Sequence, residues 1–507
     1  MNPSPAPRPR FLLTRRGFLG VSVGAVATVA LASCAPAANW VQPDGAQVQG
    51  AERRRGGTGK VTTATLTAAP TVLDLAGATA PTWAFGSVPA PVIRLGAGDT
   101  LKATVRNQLE ADTSVHWHGL ALRNDMDGVP PVTQQPIKAG ASFDYEFIAP
   151  DPGTYWFHPH VGVQLDRGLY GALIVEDPAE PGGYEDEWVI ILDDWLDGVT
   201  ATPDDVLDEL SAGMGDMGGM GDMFMRMGNT LMGATSDLLG GDAGDVYYPL
   251  YLVNGKPPAD PTQFTGRAGE KVRLRIINAG SDTAFRLAIG GHTLTVTHTD
   301  GFPVEPVEVD SILIGMGERY DAIITLDDGA FPLIAQAEGK RDRGFAVIRT
   351  GSAAAAPTAD VSIPELTSSR IGTAQLLTSD SSVALSSRQP DRTVAITLTG
   401  GMAEYDWGID GRRFDMNQPL DGAHEIREGE RVRFTITNDT EMWHPFHLHG
   451  HTYQHEGGGP RKDTSIILPK QTLTVDFDAD NPGLWVAHCH NIYHAETGMT
   501  TVIGYRA

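Results

Sequence analysis

The stretch "PGLWVAHCHNIYHAETGM" (482–499) aligns without a gap to "PGTYWFHPHVGVQLDRGL" (152–169), matching Pro482 with Pro152, His488 with His158, His490 with His160 and Gly498 with Gly168. Two such segments far apart in one chain mark two copies of one structural unit. A second repeat occurs three times, as "GDTLKATVRN" (98–107), "GEKVRLRIIN" (269–278) and "GERVRFTITN" (429–438). Each copy reads Gly-acid-x-apolar-x-x-x-apolar-x-Asn, a half-buried strand by its alternation. With 59 glycines and 34 prolines between short β-branched runs, the 507 residues are expected to fold as an all-β chain of three homologous sandwich domains. The expected bounds are 60–178, 179–352 and 367–507, with "EDPAEPGG" (176–183) and "GSAAAAPTADVSIPEL" (351–366) as linkers.

The formal charge is −25, which repels nucleic acid and anionic membrane and favours cationic partners. Residues 1–33 hold four arginines and no acid, so their removal takes the charge from −25 to −29. That segment reads as an export signal: the twin arginine Arg15–Arg16 precedes an apolar run from Val21 to Leu31, too short to span a membrane as a mature helix. The run meets "LASC" (31–34), which resembles a bacterial lipoprotein box with Cys34 as the lipid attachment site; ordinary cleavage near Ala37 or Ala38 is the alternative. The expected location is the cell envelope or periplasm, reached by the twin-arginine route, with a lipid anchor on the outer face of the cytoplasmic membrane. With Cys34 lipidated or removed, Cys489 is a lone thiol in an exported protein and has no disulfide partner.

Ten of the fifteen histidines fall in four clusters: His116 and His118; His158 and His160; His444, His447 and His449; His488, His490 and His494. In a strand, residues i and i+2 share a face, so each H-x-H pair offers two imidazoles to one side. The pairs can converge on one metal cluster. Cys489 lies between His488 and His490 and so points the opposite way, toward a second site. His494, Met499 and, from a separate strand, His444 complete a set of two histidines, a cysteine and a weak axial methionine, the ligands of a blue-copper electron-transfer centre. The first-domain segments lack this set: Thr113, Pro159, Gln164 and Leu169 stand where His444, Cys489, His494 and Met499 do. The middle domain, with only His292 and His298, reads as structural or gate-like.

Through "HWHG", "HPHVG", "HPFHLHG" and "HCHNIYHAETGM" the chain resembles the three-domain multicopper oxidases, the family of laccases and bacterial copper-efflux oxidases, from about residue 60 to its end. The resemblance implies three cupredoxin-like (Greek-key) domains and four copper ions. Carried over by motif, it implies a type 1 copper on His444, Cys489, His494 and Met499 and a type 2 copper on His116 and His447. It implies a type 3 pair on His118, His158, His160, His449, His488 and His490, where O2 is reduced to water. Oxygen reduction consumes protons, so acids near the cluster are expected. Asp127, eleven residues after His116, stands where family members carry such an acid; a turn residue before Gly128 is the other reading. In bacterial relatives an acid follows the type 1 histidine directly, whereas here Ala495 stands there and Glu496 one residue on.

"MGDMGGMGDMFMRMGNTLM" (214–232) holds seven of the fourteen methionines. Interleaved glycine and aspartate make it a poor helix and a poor core segment, so it reads as a mobile insertion in the middle domain. Thioethers select Cu(I), and Asp216 and Asp222 add negative charge, so Met214, Asp216, Met217, Met220, Asp222, Met223, Met225, Met227 and Met232 form a candidate Cu(I) substrate site. A low-complexity loop closing over an apolar pocket is the alternative. The expected activity is oxidation of Cu(I), with phenols or aromatic amines as further donors and O2 as acceptor, in copper resistance. The runner-up is a general laccase or an Fe(II) oxidase, and a non-catalytic copper protein is disfavoured because every motif ligand is present. The chain is expected to act as a monomer.

Overall fold

The computed structural model describes residues 39–180, 182–213, 224–351 and 355–507. The leader 1–33 and Cys34 lie outside the described residues, as do Met214, Asp216, Met217, Met220, Asp222 and Met223. Among the described residues there are three short α-helices, Ala46–Arg55, Pro203–Ser211 and Ile492–Thr497, and the rest is strand, loop and short 3-10 turns.

The three Gly-to-Asn repeats become the strands Thr100–Asn107, Lys271–Asn278 and Arg431–Asn438. Each has a parallel neighbour on one side and an antiparallel neighbour on the other: Val61–Leu75 and Ser142–Ile148, Asp186–Trp195 and Arg319–Thr325, Arg392–Thr399 and Thr472–Asp478. The repeated residues have a physical reason. Gly98, Gly269 and Gly429 sit at φ of +80°, +83° and +87°, where a side chain is strained. The repeat asparagines are buried, and each amide donates to two loop carbonyls: Asn107 to Ala111 and Ile137 at 2.8 Å, Asn278 to Thr283 and Ile314 at 2.9 and 3.0 Å, Asn438 to Met442 and Ile467 at 2.7 and 3.1 Å. Each asparagine oxygen accepts the N–H two residues on, so no buried amide group is left unpaired, which would cost about 1–3 kcal/mol.

Each of these sheets packs on a second one, giving three sandwiches. In the first, the second sheet runs Ala90–Gly96, Gly171–Glu176, Gly153–His158, His116–His118; in the third it runs His424–Ile426, Thr500–Tyr505, Leu484–Cys489, His444–Leu448, Thr464–Ile467. The histidine motifs therefore lie on paired neighbouring strands, with His116 opposite His158 and His447 opposite His488.

Burial alternates along Thr100–Asn107, but Lys271–Asn278 is buried on both faces after its first residue. The outward face of the middle sandwich is covered. There Arg273 and Arg275 pair with Asp321 at 2.6 and 3.3 Å, and the Thr154 hydroxyl of the first sandwich donates to the same carboxylate at 2.8 Å. Thr154 belongs to the strand that ends in His158, so this buried ion group anchors the strand that carries that histidine. The middle sandwich continues past residue 352: Ile371–Gly372 pairs with Ser311–Ile314, and the first strand of the third sandwich is Arg392–Thr399. At the other end, Val41 N–H donates to Tyr505 O at 2.9 Å, Arg55 to Asn481 at 2.7 Å, and Glu52 accepts from Ile148 N–H at 3.0 Å, which ties the first sandwich to the third.

Candidate metal centres

Eight histidines from the first and third sandwiches meet in one buried cluster. His116 stacks on His449 and His118 on His447, each with ring centroids 3.8 Å apart, so every stack takes one ring from each sandwich. His488 packs against His449 and His160 at 5.2 and 5.1 Å, and His490 against His118 and His158 at 4.9 and 5.3 Å. The ligand atoms of three trios, His116–His447–His449, His116–His118–His158 and His160–His449–His488, lie within 4.8 Å of one another.

Hydrogen bonds at the back of the rings orient them. The Nδ1–H groups of His116, His158, His447 and His488 donate to the carbonyls of Asp127, Pro159, Asp463 and Cys489 at 2.8, 2.9, 3.0 and 2.8 Å. This fixes the tautomer and turns Nε2 inward. Among the described residues the inward Nε2 atoms of His116, His158, His160 and His447 have no partner although buried, and His490 turns its Nε2 to His118 Nδ1 at 3.3 Å. Burial holds His118, His158, His160, His449, His488 and His490 well below the usual imidazole range, which favours the neutral ring that a metal requires.

Two aspartates are placed alike on the two stacks. Asp127 accepts from His116 through its backbone oxygen and from His449 through Oδ2 at 3.0 Å. Asp463 accepts from His447 through its backbone oxygen and from His118 through Oδ1 at 3.2 Å.

On the far face of the same strand, Cys489 Sγ lies 3.5 Å from His444 Nδ1 and 3.8 Å from His494 Nδ1, with the two nitrogens 3.2 Å apart. All three are fully buried. Burial pushes the thiol up, and a coordinated cation would release its proton. The outer Nε2 of His444 is bonded to Thr440 Oγ1 at 2.8 Å and that of His494 to Asp245 Oδ2 at 3.2 Å, so both rings present Nδ1 to the sulfur. His494 rides on the helix Ile492–Thr497, whose cap Asn491 accepts from Tyr493 and His494 N–H. Buried Met499 follows that helix, its carbonyl accepting from Cys489 N–H at 3.0 Å. Trp407 covers His494 at 4.3 Å between centroids.

Family models described as multicopper oxidase match residues 68–180, 186–353 and 387–506. The chain is 46% identical to the multicopper oxidase MmcO of Mycobacterium tuberculosis over 97% of this chain and 96% of that protein. This chain is a multicopper oxidase. It is also 30% identical to a copper resistance protein A homolog of Pseudomonas syringae pv. tomato, over 82% of this chain and 87% of that protein. The crystal structure of the laccase from Botrytis aclada superposes with a TM-score of 0.72 at 27% identity, covering 88% of each chain. The family uses copper, and the donor set fits it: orphaned buried imidazole nitrogens in one centre, and a thiol between two more in the other.

The other predicted residues of this multicopper oxidase are also placed. Glu496 and His160 line a narrow cleft with Phe414 and exposed Met416, and burial pushes the Glu496 carboxyl up to about 7. Met225 and Met232 face each other in the hairpin Met225–Met227/Thr230–Met232, on which Met227 is exposed. This hairpin docks on the segment carrying Asp245: Leu231 N–H donates to Asp245 O at 2.7 Å and Tyr247 N–H to Asn229 O at 2.8 Å. The middle sandwich, read from sequence as structural or gate-like, thus supplies a partner to each centre: Asp245 to His494, and Arg319 to Asp463. Asp245, Asp463, Arg319 and Thr440 were missed by sequence reasoning. Thr440 alone had a local signal, standing two residues after the repeat asparagine where the first copy has Leu109.

Proposed function

We propose that this multicopper oxidase is an exported cuprous oxidase of copper resistance, lipid-anchored through Cys34. In this reading His444, Cys489, His494 and Met499 hold a type 1 copper, and His116 and His447 a type 2 copper. His118, His158, His160, His449, His488 and His490 hold a type 3 pair. The coppers, when bound, supply one-electron uptake at the type 1 position and four-electron reduction of O2 to water at the cluster. The chain's own residues do the rest. Cys489 is bonded through the backbone to His488 and His490, which gives electrons a short covalent path between the centres. Thr440 and Asp245 keep both type 1 rings turned inward. Asp127, between His116 and His449, and Glu496, in the cleft that reaches His160, are the carboxyls placed to hand protons to the cluster.

The observation that supports the cuprous donor is the docking of the Met225–Met232 hairpin on the segment whose Asp245 touches His494. It brings the flank of the thioether-rich stretch, and a buried carboxyl, to the His494 side of the type 1 ligands. The test is oxygen uptake by the copper-loaded protein with Cu(I) and with a methoxyphenol, each with and without residues 214–232. Cuprous oxidation that collapses on deletion is expected, with phenol turnover kept. Phenol turnover independent of the segment, beside cuprous oxidation that is slow and equally independent of it, would make the protein a general laccase.

A further inference from the structure

Asp127 and Asp463 occupy matching positions on the two histidine stacks, but their surroundings differ. Asp127 is paired with histidines alone among the described residues, at 3.2 Å to His116 and 3.0 Å to His449. Asp463 is gripped by the Arg319 guanidinium through two parallel bonds, Nη1 to Oδ1 at 2.7 Å and Nη2 to Oδ2 at 2.6 Å. Both side chains are fully buried.

Arg319 belongs to the sandwich that supplies no predicted ligand to the histidine cluster or the type 1 centre, yet it touches all three. Its Nε–H donates to Thr154 O of the first sandwich at 3.1 Å, Nη1 donates to Gly317 O of its own loop at 3.1 Å, and the fork reaches Asp463 of the third. Its backbone N–H is fixed by Asp300 at 2.8 Å, and the Asp300 carboxylate also accepts the N–H of Asp463 and Thr464 at 3.2 and 3.1 Å. Two glycines make room for this approach. A Cβ on Gly119, the last residue of "HWHG", would lie 2.4 Å from Arg319 Nη2 and 2.7 Å from Asp463 Oδ2. A Cβ on Gly317 would lie 2.8 Å from the His490 ring and 3.0 Å from His118.

We infer that Arg319 is a positioning residue for the histidine cluster: its fork holds the Asp463 carboxylate in the orientation that bridges His118 of the first sandwich and His447 of the third. A planar fork fixes a carboxylate's plane, which a point charge does not. Thr464 Oγ1 completes the bridge, 3.1 Å from His118 Nε2, 3.0 Å from His447 Nδ1 and 2.8 Å from Asp463 Oδ1. The clamp therefore sets one ring from each sandwich, and the middle sandwich controls the register between them. The inference rests on the type 2 and type 3 assignment above.

The test uses copper-loaded Arg319→Lys, which keeps the charge and loses the fork, and the double variant Arg319→Met/Asp463→Asn, which removes both charges. Three quantities are read: copper per chain after chelator challenge, the electron paramagnetic resonance of types 1 and 2, and the denaturation midpoint of the copper-free protein. Arg319→Lys is expected to keep the blue absorbance and the copper-free midpoint but to release type 2 copper about tenfold more readily, with altered type 2 hyperfine splitting. The double variant is expected to lose type 2 copper while type 1 stays. An unchanged type 2 signal and copper retention in Arg319→Lys would overturn the inference. So would a double variant that folds and holds all its copper, since the pair would then serve the fold alone. A wild-type protein with no type 2 signal would overturn the ligand assignment instead.

Discussion

In the first sandwich the Thr113 hydroxyl donates to Gln164 Oε1 at 2.8 Å; in the third, the aligned His444 and His494 bring their Nδ1 atoms to 3.2 Å beside Cys489 Sγ. The strands that enter the two corners are alike, while the turns after them differ, a 3-10 segment at Gly162–Asp166 against the α-helix Ile492–Thr497. Pro159 O accepts from His158 Nδ1 as Cys489 O accepts from His488 Nδ1, at 2.9 and 2.8 Å, and Leu169 and Met499 are both fully buried. The fold thus holds an H-x-H pair toward the shared cluster in both copies, whatever lies on the strand's other face. The first sandwich closes that face with a side-chain hydrogen bond, and the third leaves two nitrogens and a sulfur pointing at one spot. A second centre needs four changed side chains, and it also needs groups behind them.

The largest effect is expected from removing the one ligand with no neutral substitute. Cys489→Ser takes away the soft thiolate, and with it the sulfur from which the backbone path to His488 and His490 starts. Blue absorbance should vanish, and oxidation of every donor should fall to background, while the cluster histidines still bind copper. Absorption spectra, metal content and oxygen uptake check this together; retained blue colour would remove Cys489 from the centre.

Asp245→Asn tests what stands behind the ligands. It keeps the volume beside His494 Nε2 but removes a carboxyl 3.2 Å away, one that burial and the neighbouring Asp282 push well above the usual carboxylate range. With no carboxyl left to ionise in favour of the oxidised metal, the type 1 potential should rise, and cuprous oxidation efficiency should fall about tenfold, as expected for loss of a group that orients a ligand. A redox titration beside steady-state rates measures both, and an unmoved potential would make Asp245 a bystander.

These two residues also mark what a reader of the chain could and could not see. Cys489 was legible because its signal is local: H-C-H in a strand, with His494 and Met499 close behind. The sandwich repeat was legible for the same reason, since Gly98, Gly269 and Gly429 answer to a backbone angle and Asn107, Asn278 and Asn438 to loop carbonyls nearby. Asp245 reaches His494 across 249 positions and Arg319 reaches Asp463 across 144. No periodicity encodes such pairs; they exist once three sandwiches are packed. The middle sandwich was underrated on this account, since its contribution is second partners, which carry no motif. Residues outside a motif become visible from sequence only by comparing copies, as with Thr440 against Leu109.

That pair frames the finest test, a graft of the third-sandwich ligands onto the first: Thr113→His, Pro159→Cys, Gln164→His and Leu169→Met. If four ligands on this backbone were enough, the variant should gain a copper and a second blue band. The expected result is no change in copper per chain or in blue intensity. Thr440 lies two residues after the repeat asparagine and bonds His444 Nε2 at 2.8 Å, whereas Leu109 in the same place offers no hydrogen bond. Gln164 is held by the Asp112 carbonyl at 2.7 Å, and among the described residues no carboxylate is bonded to it as Asp245 is to His494. Histidines grafted at 113 and 164 would lack the counterparts of Thr440 and Asp245 behind them, so four rotatable side chains would have to be ordered largely by the metal. Adding Leu109→Thr to the graft restores one of the two missing anchors, and copper binding should then become measurable by titration. A four-residue graft that turned blue at full intensity would show that the ligands organise themselves, and that the bonds of Thr440 and Asp245 tune the centre without building it.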